Sequence, residues 1–215
     1  KKQMSEILQK LSQISKLNVT LPIKGETLQI NKINLELQSK FEQFATNYKN
    51  ELEASLNYLQ FINQHIRKEV NGDVDYIDKL FILYTWHNDL KEDKIKHKFE
   101  PVSIEPTTIK INGVEFNFEF ELPSIVKDLA FLKFVLNKDE EIKTIDVLFY
   151  FTFRYLKQVS FDDNVLEASD IATSEVLFKH LDMNNVNKIT NYIDTSLDSI
   201  KTIRNLEIDA RVFFA

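Results

Sequence analysis

Cysteine is absent from this 215-residue sequence, and glycine occurs only three times, at Gly25, Gly72 and Gly113. The first absence removes disulfides, thiolate metal ligands and thiol nucleophiles together. The second removes glycine-rich phosphate cradles, which need several close glycines so that backbone N–H groups can approach the phosphates. Walker-type and dinucleotide-binding functions are thereby excluded. No apolar run reaches the ~18–20 residues needed to span a bilayer, and the first residues form a polar amphipathic stretch rather than a signal peptide. The expected setting is intracellular and reducing. Proline and arginine are also scarce while lysine, asparagine and isoleucine abound. An AT-rich genome explains that bias without reference to function.

What is present suffices for a packed protein. With 43% hydrophobic and 28% charged residues, the chain has the balance of a soluble globular protein. Its length allows one domain or two small ones. A net charge of −6 disfavours an extended phosphate-binding surface.

Met4, Ile7, Leu8, Leu11, Ile14 and Leu17 recur at helical spacing, so residues 4–16 read as an amphipathic helix. A hairpin follows: Val19, Leu21 and Ile23 alternate with polar residues or proline, Lys24-Gly25-Glu26 makes the turn, and Leu28 and Ile30 resume the pattern. Asn34 is placed to cap the next helix, which carries Leu37, Phe41 and Phe44 on one face. Glu51–Val70 reads as a long helix closed by Asn71-Gly72-Asp73, with Gly72 expected in the left-handed conformation. Asp75–Leu90 is apolar almost all round and is therefore expected at the centre of the N-terminal half. Lys91–Glu100 is a mixed-charge connector. The clearest hairpin signal is Asn112-Gly113 between Thr107–Ile111 and Val114–Leu122, where Phe116, Phe118 and Phe120 alternate with polar residues. Glu141–Val159 reads as an aromatic-rich helix, two short helices are expected near 173–181 and 183–196, and Leu206–Phe214 reads as a terminal strand or tail. The fold class is α+β, mostly helical with small antiparallel hairpin sheets.

Within Phe161–Ile200, the run Lys188-Ile189-Thr190-Asn191-Tyr192 follows an acidic-hydrophobic connector and a short helix. In this respect the chain resembles the baseplate hub subunit and hub assembly proteins of T-even-type contractile-tailed phages. Leu21-Pro22-Ile23-Lys24-Gly25-Glu26 is similar to the extended Leu-Pro segment and turn with which that family opens, and Phe213-Phe214 resembles the aromatic pair that closes many members. Tyr84-Thr85-Trp86-His87 stands where the family usually has an arginine, and the cysteines that some members carry around the hairpin have no counterpart. The resemblance implies an N-terminal helical extension over 1–17 and a hub-like domain over 18–215. That domain would divide into a helical lobe, 18–98, and a lobe of hairpin plus helices, 99–215. It further implies a structural component of the tail baseplate, acting through contacts with other tail proteins such as hub, tape-measure or wedge proteins. Such a protein resides in the virion, and in the host cytoplasm during assembly. The alternative is a transient tail-assembly chaperone absent from the mature particle.

The candidate interface residues are Ile7, Leu11 and Ile14 on the first helix, the aromatics Phe149, Phe151 and Phe153, and Tyr192, Phe213 and Phe214. The three aromatics suit either a core or an interface, because soluble monomers rarely leave such a surface bare. Neither a catalytic group, a cofactor, a metal, a nucleic acid nor a membrane is expected. His65, His87, His97 and His180 are not spaced to share a metal on one helix face. Asp162, Asp163, Glu167 and Asp170 lack the glycine of a calcium loop, and they read as caps and solvated charges. A hydrolase built on Asp162 and Glu167 would need unequal, buried carboxyls, whereas these read as exposed. The lysines at 91, 94, 96 and 98 are interrupted by Glu92 and Asp93, and only Phe99 is near for base stacking.

Overall fold

The computed structural model describes residues 2–46, 50–138, 140–168 and 170–209. Among them the chain is α+β, with nine α-helices and two antiparallel sheets. Helix α1 (Lys2–Ile14) leads into a two-stranded ribbon, β1 (Lys16–Thr20) and β2 (Thr27–Asn31). Helices α2 (Leu35–Thr46), α3 (Glu51–Val70) and α4 (Tyr76–Leu90) follow. The hairpin β3 (Thr107–Ile111) and β4 (Val114–Phe120) precedes α5 (Ile125–Leu136) and α6 (Thr144–Phe153). A second hairpin, β5 (Leu156–Phe161) and β6 (Asn164–Glu167), extends the sheet to the order β3-β4-β5-β6. Helices α7 (Ile171–His180), α8 (Met183–Ser196) and α9 (Lys201–Ile208) close the described chain, with a single 3₁₀ turn at Asp198–Ile200 before α9.

Side-chain caps set several helix starts. Asn34 Oδ1 accepts from the Leu37 N–H at 2.8 Å, and Asn50 Oδ1 from the Leu52 N–H at 2.9 Å. Asp170 and Asp182 do the same for α7 and α8, accepting from the N–H groups of Ala172 and Asn185. Each cap satisfies a backbone donor that has no partner within its helix. Arg67 and Lys68 in the last turn of α3 complement the negative end of its dipole.

Helix α4 lies at the centre, as its all-round apolar character predicts. Leu80, Leu83 and Trp86 are fully buried, and Trp86 Nε1 donates to the Asn31 carbonyl of β2 at 2.9 Å. One continuous apolar cluster runs from Val19 through Leu83 to Phe153 and Leu206. The segments 18–98 and 99–215 therefore share a core.

Four expectations need correction. The helix closing α3 turns on Asn71, whose φ of 51° is left-handed; Gly72 has no positive φ. Asparagine tolerates this region because its short polar side chain bonds locally. The first ribbon is shorter than its alternation suggests: β1 ends at Thr20, and Leu21 opens the loop by bonding Glu26 and Gly25. The aromatic helix stops at Phe153 rather than Val159. From Leu156 the chain is a strand, because the Tyr155 carbonyl takes the Glu121 N–H and Val159 pairs with Phe118 of β4. Long-range pairing here overrides helical spacing. Lastly, residues 206–208 belong to α9, not to a strand. The sequence pattern also left Ile125–Leu136 unassigned. This helix is apolar on most sides and shows no clean polar stripe, although Ser124 caps it by accepting from the Lys127 N–H at 3.3 Å.

The two residues at the end of α3 make opposite predictions. Asn71→Ala loses stability by about 1 kcal/mol, because alanine resists positive φ. Gly72→Ala is neutral or slightly stabilising, since a Cβ there meets nothing within 4 Å. Urea unfolding of the two variants checks this ordering, and a larger loss at Gly72 would contradict it.

Candidate functional site

Two features stand out: an apolar helix face with no cover and a closed cluster of charges. On α1, Met4, Ile7, Leu8, Leu11 and Ile14 fall on one stripe, and all are solvent-exposed, from 51% at Leu11 to 70% at Ile14. An isolated helix of this length is marginal in water, and most helix stability in proteins comes from packing its apolar face. The anchor holding α1 to the domain is backbone: the Ser15 N–H donates to the Leu11 carbonyl, and the Lys32 N–H of β2's end donates to Ser15 at 2.7 Å. Ile7, Leu11 and Ile14 are thus presented outward.

The other candidate interface residues are placed differently. Phe149 and Phe153 are each 1% exposed, so their assignment to an interface is corrected: they belong to the chain's own core. Their rings meet each other at 5.4 Å, and both meet Phe178 of α7 within 5.4 Å. That cluster joins α6 to α7. Phe151 is half-buried and lies against the Arg154 guanidinium, 5.3 Å from its ring centre. Tyr192 is half-buried too; its hydroxyl donates to the Glu105 carbonyl at 3.0 Å and its ring lies 5.7 Å from Phe120. It fastens α8 to the sheet side of the domain. Phe213 and Phe214 lie outside the described residues. Among the described residues, the candidates are not brought together into one surface.

Asp162 and Asp163 form the turn between β5 and β6, with Asp162 at φ 49°, while Glu167 stands at the far end of β6. All three are exposed and they do not converge. Asp170 is the cap of α7. Among the described residues, no three His, Cys, Asp or Glu side chains gather as a metal site. His65 is wedged between Phe61 and Trp86, and its burial lowers its pKa. No described helix is long and apolar enough to cross a membrane.

The charged cluster had no candidate in the sequence. Lys79 of α4 donates to Asp128 of α5 at 2.7 Å and to Glu207 of α9 at 2.5 Å. Arg154, just past α6, donates to the same Glu207 at 2.9 Å and to Asp128 at 3.3 Å. All four side chains are completely buried. Three tyrosines line the cluster: Tyr150 and Tyr155 accept from Arg154 at 2.9 and 2.8 Å, and Tyr76 donates to Glu207 at 2.9 Å. Two cations face two carboxylates, so the buried charge sums to zero.

For Lys79, Arg154 and Glu207 burial opposes the charge, but the partners win. Burial pushes Glu207 toward its neutral form, yet the Arg154 and Lys79 charges hold its carboxyl far below the usual range. Lys79 is likewise disfavoured by burial and raised overall by Asp128 and Glu207. Burial raises Tyr76 and Tyr150, which stay protonated as hydrogen-bond donors. Perturbed ionisable groups often mark active sites. Here the cluster has no solvent-facing side chain and every charge is answered inside it, so what it does is join α4, α5, α6 and α9. The sequence carries only a weak signal for it: Lys79 and Asp128 lie within largely apolar helices, but each has other charges nearby, and nothing local pairs them.

A separate open cleft of about 580 Å³ lies between α3 and α5, lined by Gln60, Gln64, Arg67, Lys68 and Lys133. Its cations sit in the last turns of these helices, where the dipoles already account for them. No family model, curated protein or solved structure matches this chain.

Glu207→Gln leaves two buried cations facing one carboxylate, and costs about 3–5 kcal/mol in urea unfolding. The pH profile follows from the same shifts. Glu207 has a depressed folded pKa, so its contribution is complete above its ordinary value near 4.5 and fades as pH falls below that. Lys79 has a raised folded pKa, so its contribution is complete below 10.5 and fades as pH rises past that. Wild-type stability should lose this contribution on both flanks, and the variant should show a shallower acid limb. An unchanged acid limb in Glu207→Gln would remove the cluster from the account of acid unfolding.

Proposed function

We propose that this chain works through protein–protein contacts, as a non-catalytic structural component of a contractile phage tail baseplate hub. The observation that carries the first part is the apolar face of α1, held out from the domain with all five of its large side chains exposed. An exposed amphipathic helix is the form in which proteins offer an i, i+3, i+4, i+7 row of anchors to a partner. The baseplate assignment rests on the sequence resemblance in Leu21–Glu26 and in Lys188–Tyr192. In the structure the first of these is the loop between β1 and β2, where the N–H groups of Ile23 and Lys24 donate to Asp78 of α4 at 2.7 and 3.1 Å. The second is the middle of α8, with Ile189 buried and Tyr192 bonded to Glu105. Both resembling segments are thus parts that build the domain, and α1 is the part that remains free to bind.

The test is made on purified particles of the phage whose genome encodes the chain. Quantitative mass spectrometry should find the protein at a fixed copy number in mature tails. Its absence from tails whose assembly nonetheless requires it would replace the structural role with that of a transient chaperone. In a complementation assay, Ile7→Glu with Leu11→Glu should fold normally by circular dichroism and fail to enter particles. Normal incorporation of that variant would show that α1 is not the contact.

A further inference from the structure

A second uncovered apolar surface lies on the four-stranded sheet. In the observed register Phe118 faces Val159, and Val159 faces Leu166, so these three point to one face, with Ile109 beside them on β3. Near the middle of the sheet this face is the roof of the core: Phe118, Val159 and Ile109 are buried. Toward the two hairpin tips the same face runs past the core. There Ile111, Val114, Phe116 and Phe161, with Leu166 beside Val159 on the edge strand, form a shelf; Ile111 and Phe116 also touch the core, while Val114 and Phe161 are each 39% and Leu166 37% exposed. The rings of Phe116 and Phe161 meet at 5.4 Å and make its centre. Both tips, Asn112-Gly113 and Asp162-Asp163, project from the same end of the sheet, because Asn117 pairs with Ser160 and the strands run antiparallel from there.

We propose that the shelf receives α1 of a second copy of this chain, the two copies exchanging their helices reciprocally. This inference rests on the reading of α1 as a binding element and names its partner. Three observations favour this occupant. The dimensions agree: the apolar stripe from Met4 to Ile14 is about 15 Å long at 1.5 Å per residue. Four strands at about 4.8 Å spacing span roughly 14 Å, so the stripe fits across the sheet. The charges agree as well. Helix α1 carries Lys2 and Lys10 against Glu6, a small positive excess in a chain whose net charge is −6. At the β5–β6 tip beside the shelf stand Asp162 and Asp163, both exposed and neither in an ion pair among the described residues, while Glu115 lies on the opposite face across from Lys110. Complementary fields of this kind steer encounter and set orientation.

The areas agree third. One helix on one shelf covers on the order of 400 Å² per side, too little for a stable complex alone. Two reciprocal contacts in a twofold pair bring the total to about 1,600 Å², the size of an ordinary specific interface. A single, open-ended contact would instead propagate into chains.

The absence of cysteine makes the test direct. Sedimentation velocity on the full chain should show a monomer–dimer equilibrium in the micromolar range. Ile7→Glu with Leu11→Glu, and separately Phe161→Lys, should each weaken it at least tenfold while leaving the unfolding midpoint unchanged. Lys10→Glu should weaken it too, and adding Asp162→Lys with Asp163→Lys should restore it. When chains carrying Leu11→Cys are mixed with chains carrying Leu166→Cys, oxidation should yield the mixed disulfide dimer in preference to either like pair. A monomer at high micromolar concentration would overturn the proposal, as would a Leu11–Leu166 disulfide forming only within one chain when both cysteines are on it. Either result leaves the role in tail assembly to be judged by the particle experiment, which does not depend on self-association.

Discussion

Everything else in this fold depends on the buried meeting of Lys79, Asp128, Arg154 and Glu207. Isolated charges cannot remain ionised in an apolar interior, and any one of these alone would be strongly destabilising there. Together they cancel, provided that four separate segments arrive in one arrangement. The network is therefore less a source of net stability than a condition on geometry. A well-packed apolar replacement of a buried ion pair is often equal to it in energy, but a partly assembled version is heavily penalised. The tyrosines sharpen this condition: Tyr76 donates to Glu207, Tyr150 and Tyr155 accept from Arg154, and Tyr155 donates to Tyr76, leaving only Arg154 Nε of this guanidinium without a hydrogen bond.

That condition explains several local outcomes. Arg154 caps the end of α6 with helical backbone angles, its N–H still bonding the Tyr150 carbonyl at 3.2 Å, and its guanidinium reaches Glu207 from there. Released from the helix, the next residues pair with β4 and carry the sheet outward through β5 and β6. Likewise Glu207 requires its segment to lie beside α4, and that segment is a helix whose Ile203 and Leu206 pack inward. The shelf of Phe116 and Phe161 is a consequence of the same geometry: the sheet is placed by its inner half, and toward the tips its apolar face is only partly covered, with Val114 and Phe161 exposed.

Apolar surface is consequently divided between a closed interior and two open places, α1 and the shelf. The interior is saturated with aromatic contacts, which is why Phe149 and Phe153 are not available for binding. Of the open places, α1 is joined to the domain mainly through backbone, and the shelf is the outer edge of a sheet whose inner residues Ile109, Phe118 and Val159 are part of the core. They are where contacts with other chains add the most buried area for the least rearrangement.

Much of the local structure was legible in the sequence because it depends on neighbours along the chain. The Asn112-Gly113 turn needs positive φ at both positions, and it has 50° and 88°. Asn34, the Asn71 end of α3 and the helices after Asp170 and Asp182 follow from capping chemistry that acts over a few residues. The amphipathic stripe of α1 announced an apolar face, and the face exists. What tertiary structure alone decided is where partners separated by dozens of residues come together. It turned 156–161 from helix into strand, made 206–208 helical, and sent Phe149 inward while leaving Phe161 half in solvent. It also brought the charges at 79, 128, 154 and 207 together as partners. The physical reason is range: caps and turns are settled by backbone geometry within one or two turns, whereas burial and charge compensation are properties of the assembled core.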